Sequence, residues 1–335
     1  MLARSYALQR RATRPRYCAP ATQPLAWAFV TESRALDGPV GLVGAGYIGH
    51  LFAQQFALAG YQVRAWSPGR SVHTLHDRLR QSVSTLAELG AVESSAVDRV
   101  LGLVTVHEGL PAALVPCSAV MESIVEDAEI KAACYRDVEA VVRADALLWS
   151  STSNFPMTKL AAGMAHPERA VVLHPVQTAL IIFAEVVAGE RTSEDSVTTT
   201  MRFCEDVSLR AVRVRKEIPG FLWNRVWFAL LREMLHLVDI GAADPVELDS
   251  MVQTTLRAFI PVFGPLHLCL PVRTSMKPRE LRCPVDTSAT TSPSSSTETM
   301  PRMSPAVSGR LSRAGQSLSA SPQSLLLRRR HHGRA

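Results

Sequence analysis

The chain lacks any run of about 18 consecutive apolar residues, so no membrane-spanning helix is expected. It also lacks a C-x-x-C pair. Its six cysteines (Cys18, Cys117, Cys134, Cys204, Cys269 and Cys283) stand singly. That argues against a zinc site or a disulfide framework, and it suits a reducing compartment; no metal is expected. Acidic residues are missing before Glu32, while Arg4, Arg10, Arg11, Arg14 and Arg16 crowd the same stretch. Mitochondrial presequences share that composition, and so do disordered leaders; a cytoplasmic location is expected, with a mitochondrial one as the alternative. Periodicity is missing from 274–325, which is rich in Ser, Pro and Thr, and Arg328-Arg329-Arg330 follows close to the end. Such a segment cannot bury enough apolar surface to offset its ordering entropy, so a disordered tail is expected. The net charge of +6 is unevenly spread, because residues 38–266 hold 19 Lys/Arg against 25 Asp/Glu. The basicity belongs to the two ends, and no nucleic-acid partner is expected.

What the chain does have is Val40-Gly41-Leu42-Val43-Gly44-Ala45-Gly46-Tyr47-Ile48-Gly49, an apolar run that breaks into G-x-G-x-x-G and continues as a helix-like segment. Gly44 suits a tight turn, Gly46 a close backbone approach to a pyrophosphate, and Gly49 a helix lying close on a strand. The helix N-terminus offers unpaired N–H groups to the phosphates. Tyr61 to Trp66 reads as the second strand of a βαβ unit.

From Pro39 to about Val214, strand-like and helical runs alternate, which predicts a parallel sheet. Residues 71–98 read as helix, Leu101–Val106 as strand, Ser118–Ser123 as strand and 126–144 as an amphipathic helix. Ala146–Trp149, Ala170–His174 and Leu209–Val214 complete the strands. Past Pro219 the pattern turns helical, ending at Gly241, and Asp244-Pro245 looks like the N-cap of a second helix. The organisation expected is a leader over 1–37, a dinucleotide-binding domain over 38–216, a helical domain over 217–266 and a tail over 267–335.

Chemistry gathers behind the motif. Ser150-Ser151-Thr152-Ser153 follows a strand and His174 ends the next one, so both sit at the carboxyl edge where open α/β sheets bind ligands. Glu185 lies eleven residues on and could return to the imidazole. Asn224 sits one turn into the helix that begins at Pro219-Gly220-Phe221. A His–carboxylate pair is what hydride transfer from an alcohol requires, since the imidazole takes the hydroxyl proton and the carboxylate stabilises the imidazolium. A serine hydroxyl and an asparagine amide can hold the substrate oxygen.

These residues, with Glu126-Asp127, Lys131, His174-Pro175-Val176 and Pro219 to Arg225, resemble the 3-hydroxyacyl-CoA dehydrogenase family. The likeness is to the branch containing lambda-crystallin and L-gulonate 3-dehydrogenase, and it runs from about Val40 to Leu266. The resemblance implies a Rossmann-type doubly wound α/β sheet followed by an all-α domain, here truncated. It implies NAD as cofactor, a small hydroxy acid or acyl-CoA as substrate, and a homodimer. It assigns Gly44, Gly46, Tyr47, Ile48 and Gly49 to the pyrophosphate, and Glu126 and Lys131 to the nicotinamide-ribose side. His174 would be the base, Glu185 its partner, and Ser153 and Asn224 the ligands of the substrate oxygen. The interval from Ser153 to His174 fits the family without a gap.

Three departures stand out. Where the family ends its second strand with a ribose-binding Asp, Ser67 stands here with Arg70 behind it, which leaves room for the 2′-phosphate of NADP. Gln177-Thr178 replaces Asn-Pro, and Glu185 arrives one residue early. The helical domain gives way to Ser/Pro-rich sequence after Leu266, as a shifted reading frame or an alternative exon would produce. The leading expectation is a dehydrogenase acting on a 3-hydroxyl. The alternative is a catalytically impaired dinucleotide-binding or crystallin-like structural protein.

Overall fold

The computed structural model of the protein describes residues 34–176 and 183–259. Most of the leader, Gln177 and Thr178, and the tail over 267–335 lie outside the described residues. The chain divides into two compact units at Arg225–Val226.

The first unit is an eight-stranded sheet in the order β3-β2-β1-β4-β5-β6-β7-β8. Its strands are β1 (Val40–Val43), β2 (Val63–Trp66), β3 (Val104–Val106), β4 (Ala119–Glu122), β5 (Leu147–Ser150), β6 (Ala170–Val176), β7 (Phe183–Ala188) and β8 (Arg210–Val214). The helices are α1 (Tyr47–Leu58), α2 (Leu75–Glu88), α3 (Ala96–Leu103), α4 (Leu110–Leu114), α5 (Ala128–Glu139), α6 (Met157–Leu160) and α7 (Glu194–Asp206). α8 (Trp223–Asp239) and α9 (Pro245–Phe259) follow. All four residues of β1, β4 and β5 are buried, as central parallel strands covered on both faces must be.

Each face of the sheet has its own core. On one, Phe56, Trp149, Tyr61 and Phe203 interlock, with Phe56 and Phe203 edge to face at 5.1 Å. Trp149 settles its indole N–H on Thr200 Oγ1 at 2.9 Å, so the largest core residue carries no unmet donor. On the other face, Tyr135, Met157, Leu160 and Phe221 pack under β4, β5 and β6.

The sequence reading needs three corrections here. Residues 71–98 are two helices, because Gly90 adopts a left-handed φ of 71° and its N–H and that of Ala91 close α2 on Ala87 and Leu86. Leu101 and Leu103 belong to α3 and pack on the core, so β3 is only three residues long. The sheet is not wholly parallel, since β7 pairs antiparallel with β6. β7 escaped the reading because Glu185 interrupts its apolar run.

In the second unit, α8 and α9 meet through Val238 and Leu248, flanked by Leu235, Leu237 and Val252. Gly241 (φ 75°) ends α8, and Asp244 Oδ1 accepts from Val246 N at 2.9 Å to start α9. Both signals were visible in sequence. Val226, Trp227 and Phe228 on α8 are exposed.

A side chain at Gly49 would meet the carbonyl oxygen of Gly44 at 2.0 Å, a backbone atom that cannot step aside. Gly49→Ala should therefore push α1 off β1 and destabilise the domain by about 1–3 kcal/mol. Urea unfolding would show it as a lower midpoint with an unchanged slope.

Candidate active site

The order 3-2-1-4-5 places a reversal of strand order between the parallel strands β1 and β4, and ligands of open α/β sheets bind in the crevice that opens there. The loops after these two strands touch. Gly44 holds a φ of 94°, and a Cβ there would strike Ser123 O at 2.4 Å. Gly46 is the opposite case, because a Cβ on it would meet nothing within 4 Å. Gly46 is also the N-cap of α1, with no side-chain cap and no acidic residue in the first turn. The leading N–H groups of Tyr47 and Ile48 are thus available to an anion, and the open face at Gly46 is where one could approach. Arg78 braces the loop from behind, donating to Gly46 O at 3.0 Å, to Ser71 O at 2.7 Å and to Ala45 O. At the end of β2, Ser67 Oγ lies 3.1 Å from Ser71 Oγ. The residues present fit a dinucleotide, with Gly44, Gly46 and Gly49 making the cradle.

Across the crevice, the loop after β4 leads into α5, which Asp127 caps by accepting from Glu129 N and Ile130 N at 3.0 Å. Lys131 is wholly buried. Its ammonium donates to Glu122 at 2.7 Å and lies 3.3 Å from Glu126. Of the expected Glu126–Lys131 pair, only Glu126 therefore shows a surface, its side chain being 39% exposed. Glu126 Oε1 in turn accepts from Thr152 Oγ1 at 2.6 Å and Ser153 N at 3.1 Å, which ties the serine loop to α5.

The third component is on β6 and β7. Their register sets His174 opposite Glu185, and His174 Nδ1 lies 2.8 Å from Glu185 Oε2, both side chains buried. The early arrival of Glu185 leaves the pair intact. A carboxylate only accepts, so Nδ1 carries the proton and Nε2 is the unprotonated nitrogen of the neutral ring. The other oxygen of Glu185 accepts from Leu222 N at 2.8 Å and Trp223 N at 2.9 Å, where α8 begins. Ile218-Pro219-Gly220-Phe221 forms a turn closed by Phe221 N on Ile218 O, with Gly220 at φ 72°. Proline then glycine is the type II pattern. Phe221 itself holds a positive φ of 49°, and its buried ring packs on the His174 imidazole at 5.5 Å. Helix α8 thus starts at Trp223, later than the Pro219 start read from sequence, and Asn224 lies in its first turn. Asn224 Nδ2 donates to the main-chain carbonyl of Ser153 at 3.1 Å.

The structure brings Glu126, Ser153 and Asn224 together, and His174 with Glu185. Ser150 belongs to the core rather than the crevice, since its hydroxyl donates to Glu122. Tyr47 stands exposed at the start of α1. Missed in the sequence were Glu122, Tyr135, Arg78 and Phe221. For Glu122 a signal existed, a charged residue closing an otherwise apolar strand nine positions before Lys131. The described thiols are not candidate nucleophiles, because burial pushes Cys117, Cys134 and Cys204 up to about 12. Among the described residues no cluster could hold a metal ion, and no helix is long and apolar enough to cross a membrane.

Residues 39–218 match the family model of the 3-hydroxyacyl-CoA dehydrogenase NAD-binding domain. The L-carnitine dehydrogenase of Streptomyces coelicolor is 34% identical over 68% of this chain and 71% of its own. The human lambda-crystallin homolog is 28% identical over 69% and 73%. The crystal structure of a 5-formyl-3-hydroxy-2-methylpyridine 4-carboxylic acid 5-dehydrogenase, an NAD+-dependent dismutase, is 34% identical. It covers 69% of this chain and 74% of its own, with a TM-score of 0.63. With a glycine cradle at the switch point, and with this extent of likeness, the chain belongs to the 3-hydroxyacyl-CoA dehydrogenase family and carries its NAD-binding domain.

Proposed function

We propose that the chain oxidises the 3-hydroxyl of a 3-hydroxy acid or its coenzyme A thioester to the 3-oxo product, with NAD as hydride acceptor. The observation that carries this reading is the buried His174–Glu185 pair at the carboxyl edge of the sheet. Bound NAD supplies the electrophilic ring that takes a hydride from the carbinol carbon. His174 Nε2 takes the hydroxyl proton as that hydride leaves. Glu185, fixed by two main-chain N–H groups, keeps the proton on Nδ1 and offsets the positive charge that develops on the ring. The Ser153 hydroxyl and the Asn224 side chain hold the substrate oxygen in line. The buried ring of Phe221 keeps water from one side of the imidazole.

The name of one relative, an L-carnitine dehydrogenase, and the family resemblance together suggest which hydroxy acids to offer. L-carnitine, L-gulonate and 3-hydroxybutyryl-CoA share a secondary alcohol two carbons from a carboxyl carbon and differ in what surrounds it. Reduced-nicotinamide formation by the full chain, with each substrate under NAD and under NADP, identifies substrate and cofactor together. Cofactor binding without turnover of any would favour the crystallin-like alternative.

Two substitutions test the roles. His174→Ala should lower kcat by about 10²–10⁴-fold while leaving NADH affinity unchanged, and undiminished turnover would remove the residue from the mechanism. Ser67→Asp should weaken NADPH binding by repelling the 2′-phosphate and leave NADH binding equal or tighter. Titration calorimetry with both nucleotides reads this directly, and unchanged NADPH affinity would mean that the end of β2 does not meet the ribose.

A further inference from the structure

Glu122 closes β4, is 1% exposed, and is surrounded by donors on all sides. Its Oε1 accepts from Lys131 Nζ at 2.7 Å and from Ile124 N at 2.8 Å. Its Oε2 accepts from Tyr135 Oη at 2.8 Å and Ser150 Oγ at 2.9 Å. Burial, and then the charge of Glu122, push the Tyr135 phenol well above its usual range, so it remains a donor to that carboxylate. Four hydrogen bonds fix both oxygens of Glu122, and a carboxylate so held fixes in return the groups that donate to it.

The chain of contacts continues outward from there. Lys131 spans Glu122 and Glu126, Glu126 holds Thr152 Oγ1 and Ser153 N, and Thr152 Oγ1 accepts from Asn154 N at 3.2 Å and Phe155 N at 3.0 Å. A buried ion pair adds little stability over well-packed apolar residues, so joining β4 to α5 does not by itself explain this one. What an apolar pair could not do is restrain a carboxylate at the rim of the crevice. Glu126 is the only carboxylate of the three-residue cluster that reaches solvent, and left to itself it would exchange rotamers.

We propose that Glu122 is a positioning residue for the cofactor side of the site: through Lys131 it sets Glu126, and through Glu126 it sets the main chain at Thr152 and Ser153. The proposal rests on reading Glu126 as a cofactor contact. It makes nucleotide binding and the placing of Ser153 properties of one network, anchored in the core by a residue that touches neither ligand.

The test is titration calorimetry of the full chain with NADH, alongside thermal unfolding of each variant. Glu122→Gln keeps the shape and an acceptor oxygen but removes the charge that shares Lys131. It should weaken NADH binding about tenfold, and so should Thr152→Val, which cuts the same chain at its far end. Because both act through Glu126, the double variant should bind no more weakly than the weaker single one. Additive losses would mean two independent sites and overturn the proposal. So would NADH affinity within about twofold of wild type in Glu122→Gln, whatever its melting temperature, since that leaves a purely structural pair. Glu126→Gln separates the two levels. If it leaves NADH binding unchanged, Glu126 is not a cofactor contact and the underlying reading fails with the proposal. If it weakens binding while Glu122→Gln does not, the reading stands and the positioning role falls. Should Glu122→Gln fail to fold, Tyr135→Phe removes one donor from Glu122 and leaves the ion pair; a several-fold loss of affinity supports the proposal, and an unchanged one overturns it.

Discussion

The carboxylate of Glu185 is the constraint on which the joint between β6, β7 and α8 depends. One of its oxygens faces His174 across two antiparallel strands, and the other takes the N–H groups of Leu222 and Trp223. A helix begins with unpaired donors, and here a buried charge from the sheet supplies the acceptor. The side chain that orients the imidazole therefore also fixes where α8 starts, and with it Asn224. The strained φ of Phe221 belongs to the same joint, because the turn at Pro219-Gly220 must aim two successive N–H groups at one oxygen while the Phe221 ring covers the histidine.

The nucleotide half is arranged on another principle. Around Gly44, Gly46 and Gly49 what matters is the absence of side chains: two positions where a Cβ would collide with backbone and one where it would project into open space. Arg78 and the Glu122–Lys131–Glu126 chain supply rigidity from behind and across. Most of that charge is kept beneath the surface, with Glu126 at the rim, and the main-chain donors at the start of α1 are left open to an anion.

Much of this was legible in the residues. G-x-G-x-x-G after an apolar run has few other physical uses. Placing consecutive parallel strands puts Ser150 at the end of β5 and His174 near that of β6, although β6 runs two residues further, to Val176. The Asp244-Pro245 start and the Gly241 stop were equally local. Long-range pairing was not legible. The antiparallel β7 is a short run broken by Glu185, and its direction depends on a hairpin that composition does not reveal. Lys131 looked like a ligand-side cation because nothing in a sequence says that a lysine will be swallowed between two carboxylates. Glu122 offered only the signal of a charge closing an apolar strand, since its partners come from β5 and α5 and converge only in three dimensions.

The antiparallel hairpin has a kinetic corollary. Val40 pairs with Ala119 across β1 and β4, so the nucleotide crevice exists only after a long crossover has closed. His174 and Glu185 are eleven residues apart, joined by one short connection. Loop-closure entropy rises with chain separation, and contacts local in sequence form soonest. The His174–Glu185 pair thus belongs to the stretch of sheet that can assemble first, ahead of the nucleotide crevice.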